Sequence, residues 1–128
     1  MSSAPIDTVL AWLDAVNAGN TESALEHTIS DVSIVGPRGA GRGREVLRAW
    51  LSNVGAKFVT RAVYGGGDSA VVAQRGVWRD AATGAIRGEA DVATRFRVID
   101  GKVAEIQRYD DLLEALRDAG LTPADVRP

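Results

Sequence analysis

One histidine, no cysteine and a scatter of carboxylates and arginines bound the chemistry this sequence can carry. Without cysteine there is no disulfide, no thiolate nucleophile and no cysteine-bound zinc, and a lone His27 excludes sites that need two imidazoles, so no metal site is expected. An imidazole ordinarily titrates near neutral pH, which makes His27 a candidate general base beside its simpler reading as a structural residue at a helix end. Glu89 and Asp91 are the acids inside the long segment Ile86 to Ile99. Alternation puts both on its back face, where pairing with arginine is the ordinary role; a β-bulge would turn either into an acid or base, and Asp91 is kept as the second catalytic candidate. The run Gly36-Pro37-Arg38-Gly39-Ala40-Gly41-Arg42-Gly43-Arg44 has the glycine spacing of a phosphate loop. Arg42-Gly43 stands where Lys-Ser/Thr is required for phosphate and Mg²⁺, so a solvated turn is expected.

The elements that must position these groups are legible in the apolar periodicity. Ile6, Val9, Leu10, Leu13 and Val16 recur at helical spacing, with Ser3 as a cap and Gly19 as a stop. Asn20 can cap a short second helix from Thr21 to about Thr28. Val32-Ser33-Ile34-Val35 reads as a short strand ended by Gly36-Pro37, followed by a glycine-rich turn. Val46, Leu47, Trp50, Leu51 and Val54 give a third helix between Gly43 and Gly55. The period then becomes two: Lys57 to Tyr64, Ser69 to Arg79, Ile86 to Ile99 and Lys102 to Tyr109 are strand-like and separated by turn sequences. Asp100-Gly101 suits a two-residue type I′ turn, which needs positive φ at both positions. A last helix, Asp111 to Ala119, stops at Gly120 before a proline-bounded tail. In the long strand the set Ile86, Gly88, Ala90, Val92, Thr94, Phe96, Val98 should line the core.

Helices followed by strands predict an α+β fold with helices on one face of a mainly antiparallel sheet. The 128 residues suit one domain, with its core about residues 6–119. The 45% apolar and 25% charged composition is that of a globular chain, and no apolar run nears the roughly 18 residues of a spanning helix. A net charge of −2 argues against a nucleic-acid partner. No membrane partner is expected, and the start of the sequence has no signal-peptide pattern, so a cytoplasmic protein is expected.

Four stretches carry a family resemblance: Trp12-Leu13-Asp14-Ala15-Val16-Asn17-Ala18-Gly19-Asn20, Asp31-Val32-Ser33-Ile34-Val35-Gly36-Pro37, Gly41-Arg42-Gly43-Arg44-Glu45-Val46, and Asp100-Gly101-Lys102-Val103 with Tyr109-Asp110. With these the chain resembles the nuclear-transport-factor-2-like superfamily, in particular its SnoaL-like branch, over about Ile6 to Ala119. The resemblance implies a cystatin-like α+β barrel, a curved sheet forming a cone that N-terminal helices close around an apolar pocket. It does not carry over a reaction. Where similar ketosteroid isomerases have a catalytic aspartate before the first-strand proline, this chain has Gly36; their oxyanion tyrosine corresponds to Trp12 and their protonated aspartate falls near Arg95 or Phe96. For the similar limonene-epoxide-hydrolase type, Arg108 takes the place of the second aspartate, and Arg75-Gly76-Val77 retains only the arginine of an Arg-x-Asp pair.

Carried onto the strands, the resemblance places Ile34, Gly36, Arg75, Val77 and Val92 with Thr94, Phe96, Ile106 and Arg108 on the pocket wall. Trp12, Val16, His27 and Trp50 form its roof. A guanidinium on an inner wall is costly unless paired, so Arg75 and Arg108 either reach internal acids or the rim, or await an anionic ligand group. The expected function is a SnoaL-like small-molecule protein, an isomerase, cyclase or hydrolase without cofactor, acting on an apolar substrate with an anionic or carbonyl group. The alternative is a non-catalytic dimeric binding module with a filled pocket, working through the back of the sheet around Glu89, Asp91 and Tyr109. A homodimer is expected in either case.

Overall fold

The computed structural model describes residues 5–36, 39–54, 56–80 and 82–127, with side chains placed for all of these except 5, 50, 52–54 and 56–58. Helix α1 (Pro5–Asn17) buries Val9, Trp12 and Leu13, which three- and four-residue spacing brings to one face. Ser3, expected to cap it, lies outside the described residues. Gly19, at φ 74°, turns the chain into helix α2 (Thr21–Glu26), where the Asn20 side chain accepts the Ser23 N–H at 3.1 Å.

Strand β1 (Thr28–Gly36) begins four residues before the expected Val32, because Thr28 already pairs with Val103 and a register shift before Ser33 absorbs the mismatch. The glycine-rich segment is not only a turn: Gly39–Arg42 forms an edge strand, β2, whose backbone pairs antiparallel with β1. Helix α3 (Arg44–Val54) follows and buries Leu47. The chain then runs through β3 (Ala56–Gly66), β4 (Ser69–Arg79), β5 (Ile86–Ile99) and β6 (Lys102–Tyr109) as the expected antiparallel meander. Asp100 and Gly101 have φ of 52° and 77°, the positive pair that the tight β5–β6 turn requires. Helix α4 (Leu112–Ala119) is capped by Asp111 and ended by Gly120 at φ 75°. The tail adds a single 3₁₀ turn and a two-residue strand, β7 (Val126–Arg127), on the edge of β3, an element with no signal in the sequence beyond two residues.

The sheet order is β2-β1-β6-β5-β4-β3-β7, antiparallel except for the β1–β6 pair. It curls without closing, and register shifts at Thr60/Ala62 and Arg97/Val98 mark bulges that increase local bend and twist. Its inner face carries Ala70, Val72, Phe96, Val98 and Ile106 against α1, α2 and Leu47. Its outer face carries Val71, Ala93 and Tyr109 under Ala115, Leu116 and Leu121. The expected core parity of β5 holds at Val92, Phe96 and Val98, whereas Ile86 at the start of the strand is exposed. Trp12 anchors the helices: its Nε1 donates to Thr28 Oγ1 at 3.1 Å, that hydroxyl donates to the Ala24 carbonyl at 2.8 Å, and its ring meets Phe96 edge to face. No described helix is long and apolar enough to cross a membrane.

For β4 the expected facing is corrected. Both parities of Ser69 to Arg79 contain apolar residues, so the strand alone does not choose, and the pairing decides: Arg75 lies opposite Asp91 and Val77 opposite Glu89. Directly paired residues share a face. Arg75 and Val77 are therefore on the outer face, and the inner face takes Gln74 and Trp78.

Candidate functional site

Three adjacent strands build a polar island in the apolar inner face. Thr94 of β5 pairs with Arg108 of β6 on one side and neighbours Gln74 of β4 on the other. The Thr94 hydroxyl donates to Gln74 Oε1 at 3.0 Å. The Arg108 guanidinium stacks on the Trp78 indole, with Cζ 4.7 Å from the ring centre. Trp78 pairs with Gly88 and Arg108 with Thr94, positions that a flat β5 would hold roughly 20 Å apart. The contact bridges β6 and β4 across the curled sheet.

Two donors in this island have no acceptor. Gln74 is 2% exposed, yet its Nε2 has no hydrogen-bond partner; turning the amide over would only leave the oxygen open instead. The Arg108 Nε is likewise buried and without a partner. Burial pushes the Arg108 pKa down and Asp110, exposed just beyond β6, offsets part of that, so the side chain is still a cation at neutral pH. The stack on Trp78 stabilises such a cation by about 0.5–2 kcal/mol. Leaving a buried donor unsatisfied costs about 1–3 kcal/mol, and more when it is charged. An acceptor brought by a ligand would remove that cost.

Room for that ligand lies beside Arg108. Ile34 pairs with Ile106 and Val35 with Gln107, so Gly36 comes next to Arg108 across the parallel pair. A Cβ at Gly36 would meet no atom within 4 Å, and the same holds at Gly88. The floor between is apolar, with Ile34, Val92, Phe96 and Ile106 all buried.

The other sequence-derived candidates are distributed differently. Trp12, Ile34, Phe96 and Ile106 belong to the inner core, and Val16 packs half-buried against it. The backbone of Trp50 is in α3, and its side chain lies outside the described residues. His27 caps α2 and its carbonyl accepts the Val103 N–H at 2.7 Å, which puts it at the far end of β6, roughly 16 Å along the strand from Arg108. Asp91 is on the outer face with its side chain 79% exposed, bonded to Arg75 at 3.3 Å; Glu89 approaches the same arginine at 3.7 Å. Neither proton-carrier candidate stands beside Arg108, and of the two arginines only Arg108 faces inward. In the glycine-arginine segment, Arg42 pairs with Asp31 at 2.9 Å and Arg44 donates to the Thr28 carbonyl at 3.0 Å, while Pro37 and Arg38 lie outside the described residues. Among the described residues no three His, Asp or Glu side chains converge as a metal site would need.

Gln74 and Trp78 are the functional candidates that sequence reasoning missed. A signal for them existed in the β4–β5 hairpin: continuing inward from the five-residue loop Asp80 to Gly84 puts Arg75 opposite Glu89, already assigned to the back face.

Comparison with known proteins agrees with this architecture. No curated protein matches the chain. Among solved structures, an NTF2-like protein of unknown function from Cytophaga hutchinsonii superposes with a TM-score of 0.75 at 17% identity, covering 87% of this chain and 93% of that one. TerC, co-crystallised with polyporic acid, gives 0.73 at 20% identity over 91% and 98% of the two chains. A Jannaschia sp. CCS1 protein proposed as a SnoaL-like polyketide cyclase gives 0.71 at 21% identity over 93% of each. At these identities the likeness establishes the fold. The sequence itself matches the SnoaL-like domain over residues 9–106, from α1 to the inner-face Ile106 of β6, and the chain belongs to the SnoaL-like domain family.

Proposed function

We propose that this protein binds a small, mainly apolar molecule on the inner face of the sheet and holds a carboxylate or enolate oxygen of it on Arg108. One observation carries the reading: a buried guanidinium edge with no acceptor, stacked on Trp78 and bordered by open space at Gly36. A site of a few polar groups in an apolar surround is the usual form of a small-molecule pocket. The co-crystallisation of TerC with polyporic acid, on the same fold, supports it. Activity of the isomerase, cyclase or hydrolase type would use Arg108 to stabilise a developing oxyanion. The described inner positions of β4, β5 and β6 hold no carboxylate or imidazole beside it, so ligand binding is the primary role and a proton carrier would have to come from elsewhere. The proposal includes a cytoplasmic protein acting as a homodimer through the outer face around Val77, Glu89 and Asp91.

Calorimetric titration with γ-phenylbutanoate and its neutral amide tests the reading. The acid is expected to bind at least tenfold more tightly than the amide, and Arg108→Met to remove that preference. Equal binding of acid and amide, or an unchanged preference in the variant, would contradict it.

A further inference from the structure

The second open donor narrows the ligand class, and the argument rests on the proposed role of Arg108. Gln74 and Arg108 stand on strands two places apart, so their Cα atoms are separated laterally by about 10 Å, with Thr94 between them. Both side chains rise from the same concave face, which leans them toward one another. With the Thr94 hydroxyl donating to Gln74 Oε1, Nε2 is the end of the amide left without a partner. On the arginine the buried atom without a partner is Nε, which lies on the side edge, the edge that can grip a carboxylate with two parallel hydrogen bonds. The uncharged amide, 2% exposed, would not compensate the desolvation of a second anion. It suits a neutral oxygen.

We propose that the site selects an oxo or hydroxy carboxylate: Arg108 takes the carboxylate, and Gln74 Nε2 donates to a neutral carbonyl or hydroxyl oxygen a few bonds further along the same molecule. Gln74 is then the specificity residue, and Thr94 positions it. A site with a buried donor rejects an analogue that lacks the matching acceptor, because the donor stays unpaired.

The test is calorimetric titration of the intact protein with two pairs of probes, γ-phenylbutanoate against γ-oxo-γ-phenylbutanoate and δ-phenylpentanoate against δ-oxo-δ-phenylpentanoate. At least one oxo acid is expected to bind about tenfold or more tightly than its deoxy partner. Gln74→Leu should erase that difference between oxo and deoxy acid; if this variant does not fold, Gln74→Met removes the same amide at similar length. Oxo and deoxy acids that bind equally, yet still depend on Arg108, would overturn the role of Gln74 and leave the Arg108 reading intact. A preference that survives loss of the amide would overturn it as well. Failure of all four acids to bind would overturn both readings.

Discussion

Arg108 carries a desolvation cost in the free protein. Its Nε is buried without a partner and burial disfavours its charge, a combination that a fold under selection for stability alone would replace with an apolar side chain of similar length. Arg108→Met should therefore raise the melting temperature of the ligand-free protein by a few degrees, measured by calorimetry, while abolishing acid binding; a lower melting temperature would mean that the guanidinium has a structural partner. Gly36→Asp probes the same cation from the other side. Its Cβ has space, and its carboxylate would pair with Arg108 across the β1–β6 pair, so added acids should bind at least tenfold more weakly to a protein that remains folded. Titration against the unsubstituted protein checks this. At this scale the sequence was half legible. Arg108 was readable as an inward arginine by counting along β6, but nothing in its own strand marks Gln74 as buried, since glutamine is usually exposed and only the partner strand reveals its face.

Among the elements, α4 is the one that covers the outer face. Ala115, Leu116 and Leu121 pack on Val71, Ala93 and Tyr109, and the Tyr109 hydroxyl donates to Asp118 at 2.7 Å. Leu116→Ala should cost about 2–5 kcal/mol in urea denaturation, as for other buried leucines, with acid binding on the opposite face retained. Loss of binding in a folded variant would show that the two faces are coupled. The helices and the four long strands were legible because their periodicities of 3.6 and 2 are sustained and their turns carry Gly, Asp or Asn. Strands β2 and β7 were not, since Gly39-Ala40-Gly41-Arg42 and Val126-Arg127 are short and present no apolar alternation to read. The face of β4 failed for a different reason: with apolar residues on both parities, only cross-strand pairing fixes it.

For the whole molecule, pH and association are the informative variables. The hydrogen bond from Arg97, 2.9 Å from Asp68, holds the Asp68 carboxyl below the ordinary carboxylate range. A folded value below the unfolded one gives a stabilisation that is complete above about pH 4 and is lost as pH falls through the folded value. Asp68→Asn should thus lower stability at pH 7 by less than about 1 kcal/mol, because the pair is half exposed and screened by salt. Urea midpoints of the two proteins should converge in acid; a gap that persists there would assign the effect to packing. Sedimentation should give a dimer, and Val77→Glu, which adds a third acid beside Glu89 and Asp91 on the outer face, should shift it toward monomer. A dimer indifferent to that change uses another surface. The central claim, that Arg108 receives an acid on the inner face, is tested most directly by the ¹⁵N–¹H signal of its Nε–H, assigned by its disappearance in Arg108→Met. Addition of γ-phenylbutanoate should move this signal in step with calorimetric saturation. A ligand that saturates the protein while the Arg108 Nε–H signal stays in place would contradict the account.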